Sequence, residues 1–170
     1  MRITRKPLAG LGAIVAVLCT ATAATALGDT PQHATPRSGS SNVHQLSGTW
    51  ATSIRISDAP PGAPSAFNAL DTFEPGGGLV VSSSAPQPTT RSLAHGYWAH
   101  AGHRTYTSTF VWFRFDTSGA YVGTQRVRRT MRLSHDGERF RGTDVISVMA
   151  PSGAVVATLH AIESGTLLAD

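Results

Sequence analysis

Residues 104–133 read RTYTSTFVWFRFDTSGAYVGTQRVRRTMRL and contain two long strand-like runs separated by a turn. The first run, Arg104–Phe115, is rich in Thr, Tyr, Phe, Val and Trp, which pack well on a pleated sheet. The second run, Ala120–Leu133, alternates along much of its length between apolar positions and arginines. Asp116–Gly119 lies between them and is typical of a short hairpin turn. The stretch therefore predicts two antiparallel neighbours in a sheet.

Strand-like runs and turns continue in both directions from this hairpin, and no segment has the pattern of an amphipathic helix. The other predicted strands are Thr49–Ile56, Phe67–Phe73, Leu79–Ser83, Gly96–His100, Arg139–Met149 and Ala154–Ile162. A longer loop rich in Ser, Pro and Thr covers residues 84–90. Eight sequential strands joined mostly by short turns predict an all-β, antiparallel up-and-down barrel, because closing the sheet removes its edges. A β-sandwich is the alternative, but it would usually need longer crossovers between its sheets.

The N-terminal residues have the pattern of an export signal. Three basic residues precede the apolar segment Leu8–Ala26, which ends in the small-x-small sequence Ala24-Thr25-Ala26. Residues 27–45 are rich in Pro, Ser, Thr and Gly and predict a flexible lead-in. We therefore expect a cleaved signal peptide over residues 1–26, the lead-in, and a secreted barrel domain over residues 46–170.

The basic character of the chain is concentrated in this predicted signal. The 170-residue chain has a formal charge of +4 and a pI near 10.0, but three of its 14 basic residues and its single cysteine, Cys19, precede residue 27. The remaining 144 residues carry 11 arginines and 10 acids and cannot form a disulfide within the chain. A nearly neutral exported domain is not expected to bind nucleic acid, or a membrane once the signal is removed.

The arginines of the sixth predicted strand fall mainly on one face. Arg126, Arg128 and Arg132 share a parity, which indicates a solvent-facing stripe. We expect this stripe to be solvated and paired with nearby acids rather than to bind nucleic acid. The expected partners are Asp136, Glu138 and Glu163.

Gly48-Thr49-Trp50 resembles the Gly-x-Trp that opens the first strand of lipocalins, fatty-acid-binding proteins and avidins, the calycin group. The resemblance implies that Trp50 plugs the closed end of a barrel. A wider pattern is similar to a family of small exported bacterial proteins of unassigned function, and it implies a fold and a compartment but no catalytic residues. That pattern comprises Gly48-Thr49-Trp50, Phe73-x-x-Gly76-Gly77, His95-Gly96-x-Trp98, Tyr106, Phe113-x-Phe115-Asp116-x-x-Gly119, Gly123-Thr124 and Asp136-Gly137-x-x-Phe140-x-Gly142. The Thr-Asp-Tyr-like motif of lipocalins, their late arginine and the biotin-contacting pattern of avidins are missing, so biotin is not expected.

Side-chain parity predicts what faces the lumen, because alternate residues of a barrel strand point inward. The more apolar series of the sixth strand contains Arg129, and that of the seventh contains Asp144, so these two residues are predicted inside as partners. The fifth strand is apolar on both faces, so the alternation of its side chains does not show which face points into the lumen. Its outer face would meet the lead-in, a lid or the partner subunit of a homodimer.

These observations lead to three functional hypotheses. The first is a lumen that binds a small, largely apolar molecule, with aromatic walls and a few polar groups to orient it. The second is a cyclase or isomerase of the allene-oxide-cyclase-like, dirigent or small cyclase type, acting on a polyene or related natural product. Arg129 and Asp144 would stabilise charge, and the barrel would restrict the substrate. The third is a structural or interaction module whose lumen is filled by its own side chains. The candidate ligand-binding residues are Tyr97, Tyr106, Phe110, Trp112, Arg129 and Asp144.

Cavity volume separates these hypotheses, since both ligand-based ones require a cavity of at least about 300 Å³. No nucleophile motif supports a hydrolase, and no cofactor is expected. His95, His100 and His103 match no standard zinc spacing, so no metal site is predicted.

Overall fold

A computed structural model describes residues 46–86 and 88–168, and strands make up most of them. The strands are β1 (Gly48–Ile56), β2 (Ala66–Phe73), β3 (Gly78–Ser83), β4 (Ala94–Gly102), β5 (Thr105–Phe115), β6 (Tyr121–Leu133), β7 (Arg139–Met149) and β8 (Val155–Leu167). Each pairs antiparallel with the next, and β8 pairs with β1 to close the barrel. The predicted up-and-down barrel is confirmed. The predicted signal peptide and lead-in lie outside the described residues. Among residues 46–86 and 88–168, no helix is long and apolar enough to cross a membrane.

The hairpin at residues 104–133 forms β5 and β6 as predicted. Phe110 lies opposite Val127 in a register that continues to Arg114 opposite Gly123 and shifts before Phe115, next to the turn. The turn is closed by the carboxylate of Asp116, whose Oδ1 accepts hydrogen bonds from the backbone N–H groups of Ser118 (2.8 Å) and Ala120 (3.0 Å). Local turn chemistry therefore joins β5 directly to β6 as a hairpin.

Inward and outward residues alternate along the strands, as the sequence pattern predicts. On β6 the buried residues include Val127, Arg129, Met131 and Leu133, whereas Arg126, Arg128 and Arg132 are exposed. On β7 the predicted inner face is confirmed, with Asp144 and Ile146 buried. The structure also decides β5. Its inward residues are Tyr106, Ser108, Phe110 and Trp112, and Phe113 is exposed on the outer face.

Aromatic side chains fill the barrel at the end where β1 begins, which we call the closed end. Trp50 is fully buried, its ring centroid lies 5.1 Å from that of Phe140, and its Nε1 donates a hydrogen bond to the carbonyl of Leu46 (2.9 Å). Phe73 packs edge-on against both Phe140 and Trp98. Trp50 is therefore part of the packed core at this end.

The last strand is longer than predicted. It ends at Leu167, whereas the prediction ends at Ile162. The prediction stops early because Glu163 and Gly165 are poor strand formers. In the structure both residues occupy inward positions of β8. Gly165 has no side chain where the ring of Phe140 lies, and a Cβ at this position would be 2.1 Å from a ring carbon. The glycine is a close-packing position within the strand.

Candidate functional site

Four charged side chains meet inside the barrel. Arg129 on β6 is buried, and its Nη1 donates a hydrogen bond to Oδ2 of Asp71 on β2 (2.6 Å). Its Nε donates to Oδ1 of Asp144 on β7 (3.3 Å), and its Nη2 lies 2.7 Å from Oε2 of Glu163 on β8. Thr52 donates a further hydrogen bond to Asp71 Oδ2 (3.0 Å). We call Arg129, Asp71, Asp144 and Glu163 the charge cluster.

The charge cluster contains one cation and three carboxyl groups, so it cannot be neutral with all of them ionised. Burial raises the pKa of Glu163 well above its ordinary value and also raises that of Asp144, although Arg129 opposes both shifts. Burial alone would lower the pKa of Arg129, but the three nearby carboxylates outweigh it and raise that pKa. The face of the guanidinium lies over Phe110, with Cζ 4.9 Å from the ring centroid. All three guanidinium nitrogens of Arg129 therefore already contact side chains of the protein itself.

A small cavity of about 30 Å³ lies beside the charge cluster, toward the end of the barrel opposite the closed end, which we call the open end. Its apolar walls include Ile54, Phe67, Val81, Phe110, Val127 and Ile146. This volume has room for about two water molecules. The described lumen holds no cavity of about 300 Å³, so the structure does not meet the requirement that both ligand-based hypotheses set. A ligand of that size can bind only if the lumen opens. Larger depressions, of 490 to 620 Å³, are surface grooves lined mostly by outward-facing residues.

The cavity is bordered at the open end by Arg91, which lies in the segment between β3 and β4. Arg91 is 8% exposed, its Nη2 donates a hydrogen bond to the carbonyl of Ser83 (2.7 Å), and its Cζ lies 5.7 Å from the ring centroid of Trp112. Its Nε and Nη1, together with Nε1 of Trp112, are buried without a hydrogen-bond partner among residues 46–86 and 88–168. Burial lowers the pKa of Arg91. We call Arg91 and Trp112 the donor pair.

Four of the six predicted ligand-binding residues line this one cavity: Phe110, Trp112, Arg129 and Asp144. Tyr106 is inward but lies in the closed end, where its ring contacts those of Trp98 and His100. Tyr97 is 63% exposed on the outer face, so its prediction as a lumen wall is wrong. Parity places it outside because its neighbour Trp98 is the inward residue of β4.

Sequence reasoning missed Arg91. The residue lies outside any predicted strand, so parity could not be applied to it. A usable signal was present, since Arg91 is the only charged residue in the long segment between β3 and β4. A lone arginine among Ser, Pro and Thr, next to the mouth of a predicted barrel, is a candidate for a residue that folds back over the lumen.

The arginine stripe is exposed as predicted, but two of its expected acidic partners are engaged elsewhere. Glu163 faces the lumen and contacts Arg129, and Asp136 contacts Arg139, with 3.2 Å between Arg139 Nη2 and Asp136 Oδ2. The predicted pairing of Glu163 with the arginine stripe is wrong because Glu163 occupies an inward position of β8, in the part of the strand beyond Ile162 that was not predicted.

The three histidines around the β4–β5 turn do not converge. Nε2 of His100 lies 2.6 Å from the carbonyl oxygen of His103, and His95 is exposed farther along β4. Over the residues that the structure describes, no group of three or more His, Cys, Asp or Glu side chains could hold a metal ion.

No protein-family model matches this sequence, and no curated protein is significantly similar to it.

Proposed function

We propose that this protein is an exported barrel that binds a small, largely apolar molecule in the open half of its lumen. One observation carries the proposal: an apolar-walled cavity remains beside Phe110 and Ile146, and it is bordered by an irregular segment rather than by packed strands. The closed end is filled by Trp50 and its neighbours and contributes only support. The resemblance to calycins points to the same use of the lumen.

A ligand of ordinary size must enlarge the cavity, because small-molecule sites occupy about 300 Å³ or more. The segment that includes Arg91 can supply this space at lower cost than a strand, because it belongs to no strand of the barrel and pairs with β5 only at an isolated bridge between Arg91 and Arg114. Ser92 exchanges two hydrogen bonds with the backbone of Phe113, at 3.0 Å each, and Arg91 donates one to Ser83. Burial of an apolar ligand contributes about 25 cal/mol per Å² of apolar surface and opposes the loss of these contacts.

Binding of a neutral fluorescent probe, N-phenyl-1-naphthylamine, tests the proposal directly. We expect the purified barrel to enhance its fluorescence saturably. Ala69→Leu, which places three more carbons in the cavity, should weaken binding at least about tenfold because it fills the available space. The matched control is Ala99→Leu on the exposed outer face of β4, which should leave the affinity unchanged. If the probe does not bind the wild-type protein, the barrel is a filled structural module and the proposal is wrong.

A second candidate, a cyclase or isomerase, is favoured by the position of Asp144. This carboxyl lines the cavity, and burial raises its pKa, so it can retain a proton beside an apolar substrate. Conversion of a compound from a culture extract, followed by mass spectrometry, would support this function if Asp144→Asn abolishes the turnover and retains binding. A compound that is retained unchanged supports a binding protein instead.

A further inference from the structure

We infer that the ligand is an organic acid that binds with its carboxylate at the open end, against the donor pair Arg91 and Trp112, and with its apolar body toward Phe110. This inference rests on the proposed function and deepens it. It specifies the chemical class of the ligand and the direction in which it lies in the lumen.

The donor pair offers three N–H groups with no acceptor among residues 46–86 and 88–168. These are Nε and Nη1 of Arg91 and Nε1 of Trp112. Both side chains are more than nine-tenths buried, and both line the same cavity. Buried donors without acceptors are unfavourable, above all on a charged guanidinium, so this arrangement favours an occupant that brings acceptor oxygens.

A carboxylate matches the donor pair in charge and in shape. A guanidinium presents its N–H groups in a planar fork that two carboxylate oxygens can accept together, and such charge-assisted bonds are stronger than neutral ones. The cavity of about 30 Å³ already has room for about two waters beside these donors. The two oxygens of a carboxylate can take these two positions while the rest of the ligand displaces side chains and the adjoining loop.

The inner end of the cavity cannot serve the same purpose. Arg129 borders it, but its Nη1, Nε and Nη2 already contact Asp71, Asp144 and Glu163. A fourth acid there would meet three acidic groups that already share one cation, and its negative charge would find no free nitrogen of Arg129. The charge cluster therefore disfavours an acid whose carboxylate points toward the inner end of the cavity. The donor pair favours one whose carboxylate stays at the open end.

The test compares an acid with its uncharged analogue. We would displace bound N-phenyl-1-naphthylamine with 4-phenylbutanoate or 4-phenylbutan-1-ol at pH 7.5, in a buffer free of other carboxylates. The acid should bind at least about tenfold more tightly than the alcohol. Arg91→Met should remove most of this preference, measured as the ratio of acid affinity to alcohol affinity within the same variant. Arg128→Met, which removes the same charge from the exposed face of β6, should retain the preference.

Trp112→Phe provides a second variant, because it removes the indole N–H and keeps an aromatic wall. It should reduce the preference for the acid several-fold. Equal affinity for acid and alcohol in the wild-type protein, or a preference that is undiminished in Arg91→Met, would overturn the inference and leave the proposed function standing. Failure of the neutral probe to bind wild-type protein would overturn the proposed function itself, and the inference with it.

Discussion

Nη1 of Arg129 lies 2.6 Å from Oδ2 of Asp71, a residue 58 positions earlier in the chain and on a strand that does not neighbour its own. The contact crosses the barrel interior from β6 to β2. With Asp144 and Glu163, the same guanidinium also contacts β7 and β8. A single cation thus joins four strands of the barrel, and its removal should affect the whole structure.

Arg129→Met should destabilise the barrel strongly. It leaves three carboxyl groups buried without a cation, and breaking a buried ion pair in this way costs about 3–5 kcal/mol. Urea unfolding followed by circular dichroism would measure the loss. Arg128→Met is the matched control, because its side chain is exposed at the preceding position of β6 and its effect should be within about 0.5 kcal/mol. Equal losses in the two variants would contradict the central role of the charge cluster.

Glu163 should make the barrel less stable as the pH rises. Burial raises its pKa in the folded state well above the ordinary value of 4.5, so the folded protein holds its proton more tightly than the unfolded chain does. The resulting stabilisation is fully present below pH 4.5 and is lost as the pH rises through the folded-state pKa.

The variant Glu163→Gln tests this contribution, because it retains the size of the side chain and cannot ionise. Above pH 4.5, and until the folded-state pKa is passed, the wild type should lose up to about 1.4 kcal/mol more per pH unit than the variant. Asp144 shifts in the same direction and shares Arg129 with Glu163, so the difference reports on the joint titration of the two acids. Urea unfolding at four pH values would show it, and identical slopes would refute the assignment.

Periodicity predicted the barrel and the inward position of Arg129 and Asp144 because a strand alternates with a fixed period of two. It could not predict that Asp71 and Glu163 join them, since contact across a lumen depends on the closure and stagger of the whole barrel. Arg91 was not predicted for a different reason. It lies outside every strand, so the alternation of side chains cannot be applied to it. Its position depends on how an irregular segment folds back over the open end.

The same limit explains the outcome for strand β5, where both faces are apolar and pattern alone gives two equal answers. Pairing with β6 decides the matter, because Phe110 lies opposite the inward Val127. Tyr97 was misassigned although parity applied to it, since the aromatic character of both Tyr97 and Trp98 suits either face. The free volume of the lumen was also beyond sequence reasoning, because it depends on how completely the side chains interdigitate.

Gly165→Ala should destabilise the closed end. A Cβ at this position would lie 2.1 Å from a ring carbon of Phe140, so the ring must move, and overpacking of this kind costs about 1–3 kcal/mol. The loss should shrink when the substitution is made in a Phe140→Leu background, because the smaller side chain leaves room for the methyl group. Gly76→Ala, where nothing lies within 4 Å of the new Cβ, is the control. Additive effects in the double variant would show that the two residues do not compete for space.

Ile146→Ala should make the lumen a better binding site while making the protein less stable. The side chain lines the 30 Å³ cavity, and its truncation removes three carbons from a buried position, which costs about 2–5 kcal/mol in unfolding free energy. The enlarged cavity is apolar on that side, so a neutral probe can enter with less displacement of the segment that carries Arg91. Affinity for N-phenyl-1-naphthylamine should therefore rise, and saturating probe should raise the melting temperature of the variant more than that of the wild type. Val145→Ala, on the exposed face one residue earlier, should change neither the affinity nor this thermal response. A probe affinity that is unchanged in Ile146→Ala would place the bound probe outside the lumen, in one of the surface grooves.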